Sequence, residues 1–305
     1  MNLSNTKTPR RMSKYAGPRG VISAHMLAAL GASGLLAASV PLFLGGKPDK
    51  PAPQGTAPAQ TSPTLPPSPA APGAASTPSV PPAPKEGLRE MFPLVHADLA
   101  AKVVEFDGTI SPMLVKDPKA PAFYLEVIAC SPNTREHETF VISTAKPSHI
   151  HAAMLAVGLT PGAPGSWKLK DNKLEAVQPT GDRLSVRIVY TDKNGKPIEA
   201  DPLDWIINER DKGRFVDAEK KAAPKGTIPG WVFAGSKMRT REGKEVYDAD
   251  GSGTIIGLTT FGSEVIGWSR VISPDASMQA PEWIADLDKT PPAGSKIRVR
   301  LKKVE

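Results

Sequence analysis

From Pro51 to Pro84 the chain is a Pro/Ala/Ser/Thr tract with no charged and no aromatic residue. Such a stretch cannot bury enough apolar area to offset the entropy of ordering it, so folding falls to its flanks. Its proline density favours extended polyproline-like conformations, the behaviour of a disordered, semi-rigid spacer. Taken from Pro48, some 35 residues at about 3 Å each could hold a domain as far as about 100 Å from its tether. The tract divides the chain into a basic tail (1–20), an apolar segment (21–46), a linker (47–84) and one domain (85–305).

The apolar segment reads VISAHMLAALGASGLLAASVPLFLGG from Val21 to Gly46, with His25 its sole ionisable residue. As a helix it would extend about 37 Å, enough to cross a hydrocarbon core of about 30 Å with tilt. Lys7, Arg10, Arg11, Lys14 and Arg19 precede it with no acidic residue among them. That bias predicts a single transmembrane helix in the inner (cytoplasmic) membrane, with the N-terminus cytoplasmic and the domain extracytoplasmic. The competing reading is a cleaved signal peptide, since Ala37 and Ser39 form a small-x-small pair, and it predicts secretion. Arg10-Arg11 faintly suggests a twin-arginine signal. No cysteine stands at the end of the apolar run, which excludes a lipid-anchored lipoprotein.

The formal charge of +7 reflects this topology. Seven of the 38 basic and one of the 31 acidic residues precede Lys85, leaving 31 against 30 in the domain. A domain that close to neutral has no global footprint for nucleic acid, and none is expected as a partner. Cys130 is the single cysteine, so no intramolecular disulfide is possible. The domain must be stable through its core, for which some 220 residues suffice.

Within it, Val103–Phe106 reads as a strand ending in an Asp107-Gly108 turn. The β-prone run Phe123–Ala129, the turn Ser131-Pro132-Asn133 and Glu138–Ser143 read as a hairpin. A helix is predicted from Pro147, with Ile150, Met154 and Val157 at helical spacing and Gly158 as its stop. Leu184–Tyr190 alternates before the hairpin turn Asn194-Gly195, and Leu203–Asn208 reads as a short helix. Strand–turn–strand–helix thus occurs twice, a hint of repetition that residue identities do not support. Three runs, Trp231–Ala234, Gly253–Thr260 and Glu264–Trp268, read as further strands. Ile297–Val304 reads as a half-exposed edge strand with its cations outward. The expected fold is α+β: a mainly antiparallel sheet with one or two packed helices.

LEVIACSPNTREHE (Leu125–Glu138), AKPSHIHAAMLAVGL (Ala145–Leu159), WVFAGS (Trp231–Ser236) and GTIIGLTTFGSEVI (Gly253–Ile266) together resemble the YdjY-like domain of uncharacterised bacterial exported proteins, in its long planctomycete-type version. The resemblance spans most of 100–285 and implies a single exported domain, but it carries no activity. Some family members are cysteine-rich and loosely associated with iron–sulfur chemistry. With only Cys130 here, a cysteine-ligated iron–sulfur cluster is ruled out.

Three of the five histidines, His137, His149 and His151, lie within 15 positions, beside Glu136 and Glu138. His149 or His151 could join His137 across the hairpin-to-helix junction, with Cys130 or a carboxylate as third ligand. Imidazole, thiolate and carboxylate suit a Zn or Cu ion. The H-x11-H-x-H spacing matches no metal signature, and the competing reading has these groups capping the helix and ending a strand in solvent. Asp248–Ile255 imitates the start of an EF-hand loop, but Thr259 stands where a bidentate Glu is needed, so an Asp/Gly-rich hairpin turn is expected, with weak Ca²⁺ binding at Asp248 and Asp250 the residual alternative. Trp205, Trp231 and Trp268 are expected in the core.

These features favour a membrane-tethered, non-catalytic domain that binds a ligand, a metal or another envelope protein. The alternatives are a metal- or Cys/His-dependent enzyme or redox accessory, and a purely structural envelope module.

Overall fold

The computed structural model describes residues 86–304 apart from 118 and 120. The expected basic tail, transmembrane or signal segment and linker lie outside the described residues. Among the described residues, no helix is long and apolar enough to cross a membrane.

The chain opens with β1 (Arg89–Phe92), β2 (Val95–Asp98) and β3 (Val103–Ile110), then β4 (Val127–Cys130) and β5 (Thr139–Ile142). Helix α1 (Pro147–Ala156) precedes the hairpin β6 (Ser166–Lys170)–β7 (Lys173–Val177). Next come β8 (Arg183–Thr191), β9 (Pro197–Ala200), a 3-10 turn over Pro202–Trp205, β10 (Ile206–Asn208) and α2 (Phe215–Ala222). After β11 (Trp231–Val232) the hairpin β12 (Met238–Arg241)–β13 (Lys244–Tyr247) leads into the one-turn α3 (Asp248–Ser252). The chain ends with β14 (Thr254–Gly257), β15 (Ile266–Trp268), β16 (Trp283–Ala285) and β17 (Lys296–Lys303).

Eight strands close on themselves in the order β3-β17-β8-β11-β15-β14-β4-β5, and β5 returns to β3 through Thr109↔Ile142 and Ile110↔Val141. The protein is therefore mostly β, a closed barrel, and the α+β expectation is overturned. A closed sheet buries its inner face against itself, so its core does not depend on a helical layer. The misreading starts at Gly108. It marks no turn, for β3 runs straight through it. A Cβ there would lie 2.6 Å from the Val141 side chain and 3.3 Å from that of Ile297, so only glycine lets β5 and β17 come this near.

Two further expectations change. β4 and β5 form no hairpin but pair in parallel, as do β14 and β15. And β17 is no edge, since it pairs with β3 on one side and β8 on the other. Its alternation is real, but both faces are covered. Val299 and Leu301 align with Phe106 and Val104 on one side and Ile188 and Val186 on the other. Each such fully buried aliphatic or aromatic side chain contributes roughly 1.5–3 kcal/mol. On the opposite face Arg298 and Arg300, 8% and 7% exposed, meet Glu105, Asp107 and Glu199.

The predicted helix is α1, with Pro147 in its first turn, Ile150, Ala153 and Met154 buried, and Gly158 at positive φ after its end. It packs on β2, β3 and α3. The Asn194-Gly195 turn joins β8 and β9 as expected. Leu203–Asn208 is half 3-10 turn and half strand, and the apparent repetition dissolves, because β4–β5 is parallel and β8–β9 antiparallel. Trp205, Trp231 and Trp268 are core residues.

Candidate functional site

Parallel neighbours usually need a dozen or more connecting residues. Here residues 131–138 and 258–265 make both crossovers, and each is pinned by its own side chains. In the first, Thr134 Oγ1 donates to the Ser131 carbonyl (2.6 Å), and the backbone N–H groups of Asn133 and Thr134 donate to the Glu136 carboxylate. Burial alone would raise the Glu136 pKa, but these backbone donors outweigh it and hold the carboxyl below its usual range. In the second, buried Glu264 accepts the Ser263 N–H at 3.0 Å, while burial raises its pKa.

The crossovers meet at Glu126, the residue before β4. Its carbonyl accepts the N–H groups of Leu258 and Thr259, each at 2.9 Å, and its own N–H donates to the Glu138 carbonyl at 3.0 Å. The Glu138 carboxyl is the acidic neighbour of the Glu126 side chain. Burial first, then the charge and hydrogen bond of Glu138, push the Glu126 pKa up to about 7 against a partial offset from Arg135. Arg135 donates to Glu138 at 2.7 Å and to Thr254 Oγ1 at 3.2 Å, and its guanidinium lies 3.6 Å from the Phe261 ring centroid. It thus ties one crossover to the other by charge and by cation–π contact. The pair is only half-buried and holds a proton that titrates near neutrality, so it can give or take one.

Arg135 and Phe261 also border an open groove of about 930 Å³ that runs to the β12–β13 hairpin. Lys146, Arg239 and Arg241 line it with Arg135. Asp248 accepts Arg239 at 2.8 Å, and Asp250 accepts the Ser148 N–H at 2.8 Å with Lys146 at 3.2 Å. The two aspartates of the apparent EF-hand loop therefore hold cations and the start of α1. The expected hairpin turn is instead the helix α3, closed by Gly253 in the left-handed conformation, where a Cβ would strike Thr134 at 2.4 Å.

The six residues singled out from sequence fall in three places. Glu136, His137 and Glu138 form a 3-10 turn, where His137 is exposed with Nε2 3.7 Å from Glu138. Cys130 is wholly buried in β4, and burial raises its thiol pKa. His149 stacks on Phe92 (4.7 Å between ring centroids). His151 Nδ1 lies 2.7 Å from the Tyr247 hydroxyl, whose one proton goes to the Gly235 carbonyl, and burial lowers the His151 pKa. Among the described residues no three His, Cys, Asp or Glu converge as a metal-ligand set. Sequence reasoning found Glu138 but missed Glu126, Arg135 and Phe261. The available signal was Glu126 itself, a lone acid inside the apolar run FYLEVIA.

The sequence model of the YdjY domain family matches residues 95–302, and the chain belongs to that family. No curated protein and no solved structure matches it.

Proposed function

We propose that this YdjY-family chain is a non-catalytic binding protein of the cell envelope, tethered through its apolar Val21–Gly46 segment, whose groove takes an acidic segment of another envelope protein. The reading rests on one observation: Arg135, Lys146, Arg239 and Arg241 converge on a single open groove, where Asp250 pairs with Lys146 and Asp248 with Arg239. An open groove of this size suits an extended chain better than an enclosed small molecule. Cations spaced along it would supply charge complementarity and a salt-sensitive on-rate. The linker would give the domain the reach to find its partner.

The test is binding of poly-glutamate and poly-lysine peptides to the full chain in detergent micelles, by calorimetry at low and high salt. Poly-glutamate should bind, weaken with salt, and lose about tenfold in affinity in Arg239→Ala/Arg241→Ala, roughly 1.4 kcal/mol. Equal binding of both peptides, or an unchanged double variant, would remove the groove from consideration.

Glu126 favours a second reading, a proton-transferring enzyme that uses the Glu126–Glu138 pair. It separates cleanly from the first, because Glu126→Gln should leave peptide affinity intact if the groove only binds.

A further inference from the structure

Among the described residues, nothing packs on either face of the β6–β7 hairpin beyond its base. Its register pairs Trp167 with Ala176 and Leu169 with Leu174, so one face is wholly apolar. Leu169 is 68% exposed and Leu174 57%, and only Trp167, nearest the root, is half-buried. The other face carries Lys168 opposite Glu175 and Lys170 opposite Lys173. A free two-stranded hairpin is marginal in water, and like charges directly opposite each other weaken it further. Asp171 and Asn172 both turn at positive φ, which gives the tight turn its handedness and presents the lysine pair at the tip.

The second hairpin, β12–β13, springs from a neighbouring point. A Cβ on Gly262 would lie 3.4 Å from the Gly165 carbonyl oxygen, at the root of β6, and 3.7 Å from Lys237 Nζ, at the root of β12. Lys168, Lys170 and Lys173 stand against Asp171 and Glu175 on one hairpin; Lys237, Arg239, Arg241 and Lys244 against Glu242, Glu245 and Asp248 on the other. Seven cations face five carboxylates, in a domain whose whole balance is 31 against 30. Positive charge is gathered at this end, beside an unpartnered apolar face.

We propose that the β6–β7 hairpin docks on an anionic lipid bilayer, with Trp167, Leu169 and Leu174 entering the interfacial layer and Lys168, Lys170 and Lys173 resting on lipid phosphates. An indole, two leucines and a collar of lysines match an interface that is apolar within and anionic above. Headgroup phosphates also remove the cost of placing Lys170 across from Lys173. A globular acidic protein would satisfy the lysines but would gain little from two leucines on a protruding finger. The inference is independent of the groove reading.

The test uses the full chain in vesicles, so that anchoring by other segments is common to every sample. Trp205, Trp231, Trp268 and Trp283 are buried, which leaves Trp167 as the indole open to quenching by brominated acyl chains. In vesicles containing phosphatidylglycerol, tryptophan emission should show a quenched component that is absent from Trp167→Phe and from pure phosphatidylcholine vesicles. Reversing the collar (Lys168→Glu/Lys170→Glu/Lys173→Glu) should reduce that component tenfold or more, and Leu169→Ser/Leu174→Ser should abolish it. Both variants leave the barrel core untouched, so an unchanged near-ultraviolet circular dichroism spectrum confirms the fold. Quenching that persists in Trp167→Phe, or that ignores phosphatidylglycerol, overturns the proposal. So does a Trp167 emission shift with soluble poly-glutamate but none with vesicles, which would make the hairpin a protein contact.

Discussion

On the face shared by β3 and β17, Glu105 meets Arg300 at 2.6 Å and Arg298 at 3.8 Å, and Asp107 meets Arg298 at 2.9 Å. Where the crossovers meet, Arg135 is bonded to Glu138, and Glu126 has Glu138, another carboxyl, as a neighbour. Both regions are built from acids and arginines on strands or strand ends. In the ladder each carboxylate touches a guanidinium and Glu105 is 1% exposed, so charge is locked into the fold. At the crossovers two carboxyls share one arginine and reach solvent, so one of them keeps its proton near neutral pH. Matching of charges makes a structural element, and mismatch makes a site.

Removing an arginine from each region should break the comparison open most widely. Arg300→Ala leaves Glu105 buried beside only the more distant Arg298, and a buried charge stripped of its partner costs about 3–5 kcal/mol. Arg135→Ala removes a half-exposed hydrogen bond and a cation–π contact, for about 1–2 kcal/mol. Urea unfolding followed by tryptophan fluorescence measures both. If Arg135→Ala proves as destabilising as Arg300→Ala, the crossover end is structural and the distinction fails. The paired change Glu105→Leu/Arg300→Met should recover most of the loss, since apolar replacements of similar volume often substitute for a buried ion pair.

This division was only partly legible in the sequence. Alternation in Ile297–Val304 identified β17 correctly as a strand, and nothing local could say that β3 and β8 flank it, because pairing partners are set by distant residues. The same alternation suits a solvated edge or a buried ladder, and the difference lies in Glu105 and Glu199, about 195 and 101 positions away. Gly108 misled because a glycine that admits a neighbouring strand looks in sequence like one that makes a turn. The histidines drew attention by clustering in sequence, yet the fold turns His137 to solvent, His149 onto Phe92 and His151 toward Tyr247. Arg135 meets Phe261, and Glu126 meets Leu258 and Thr259, only through a parallel crossover that a hairpin reading could not supply.

The raised pKa of Glu126 gives a smaller and more diagnostic effect. The Glu126 pKa is about 7 in the folded protein against 4.5 as its ordinary value. The folded state therefore holds more protons than the unfolded state between these limits. Glu126 contributes stability that is fully present below pH 4.5 and is lost as pH rises through 7. At a half-exposed position, solvent screening leaves on the order of 1 kcal/mol of this effect. Glu126→Gln keeps a donor for Glu138 without a titrating proton, so its stability should be flat over the window in which the parent declines. Thermal unfolding from pH 5 to pH 8 makes the comparison, and parallel curves for the two proteins would mean that Glu126 does not titrate in this range.

The smallest effect is expected at Arg241, on the exposed β12 strand. It has no ion pair among the described residues, and a surface substitution away from caps and networks changes stability by no more than about 0.5 kcal/mol. Arg241→Ala should therefore unfold at the parent's urea midpoint while binding poly-glutamate a few-fold more weakly. Its loss in affinity should shrink as salt rises, because an exposed cation acts through a screened field. Arg300→Ala should show the reverse, a large loss of stability that barely responds to salt, since the buried pair is shielded from ions in solution. A stability loss at Arg241 comparable to that at Arg135 would mean that the groove wall is part of the fold, as the ladder is, and that its cations are not free to meet a ligand.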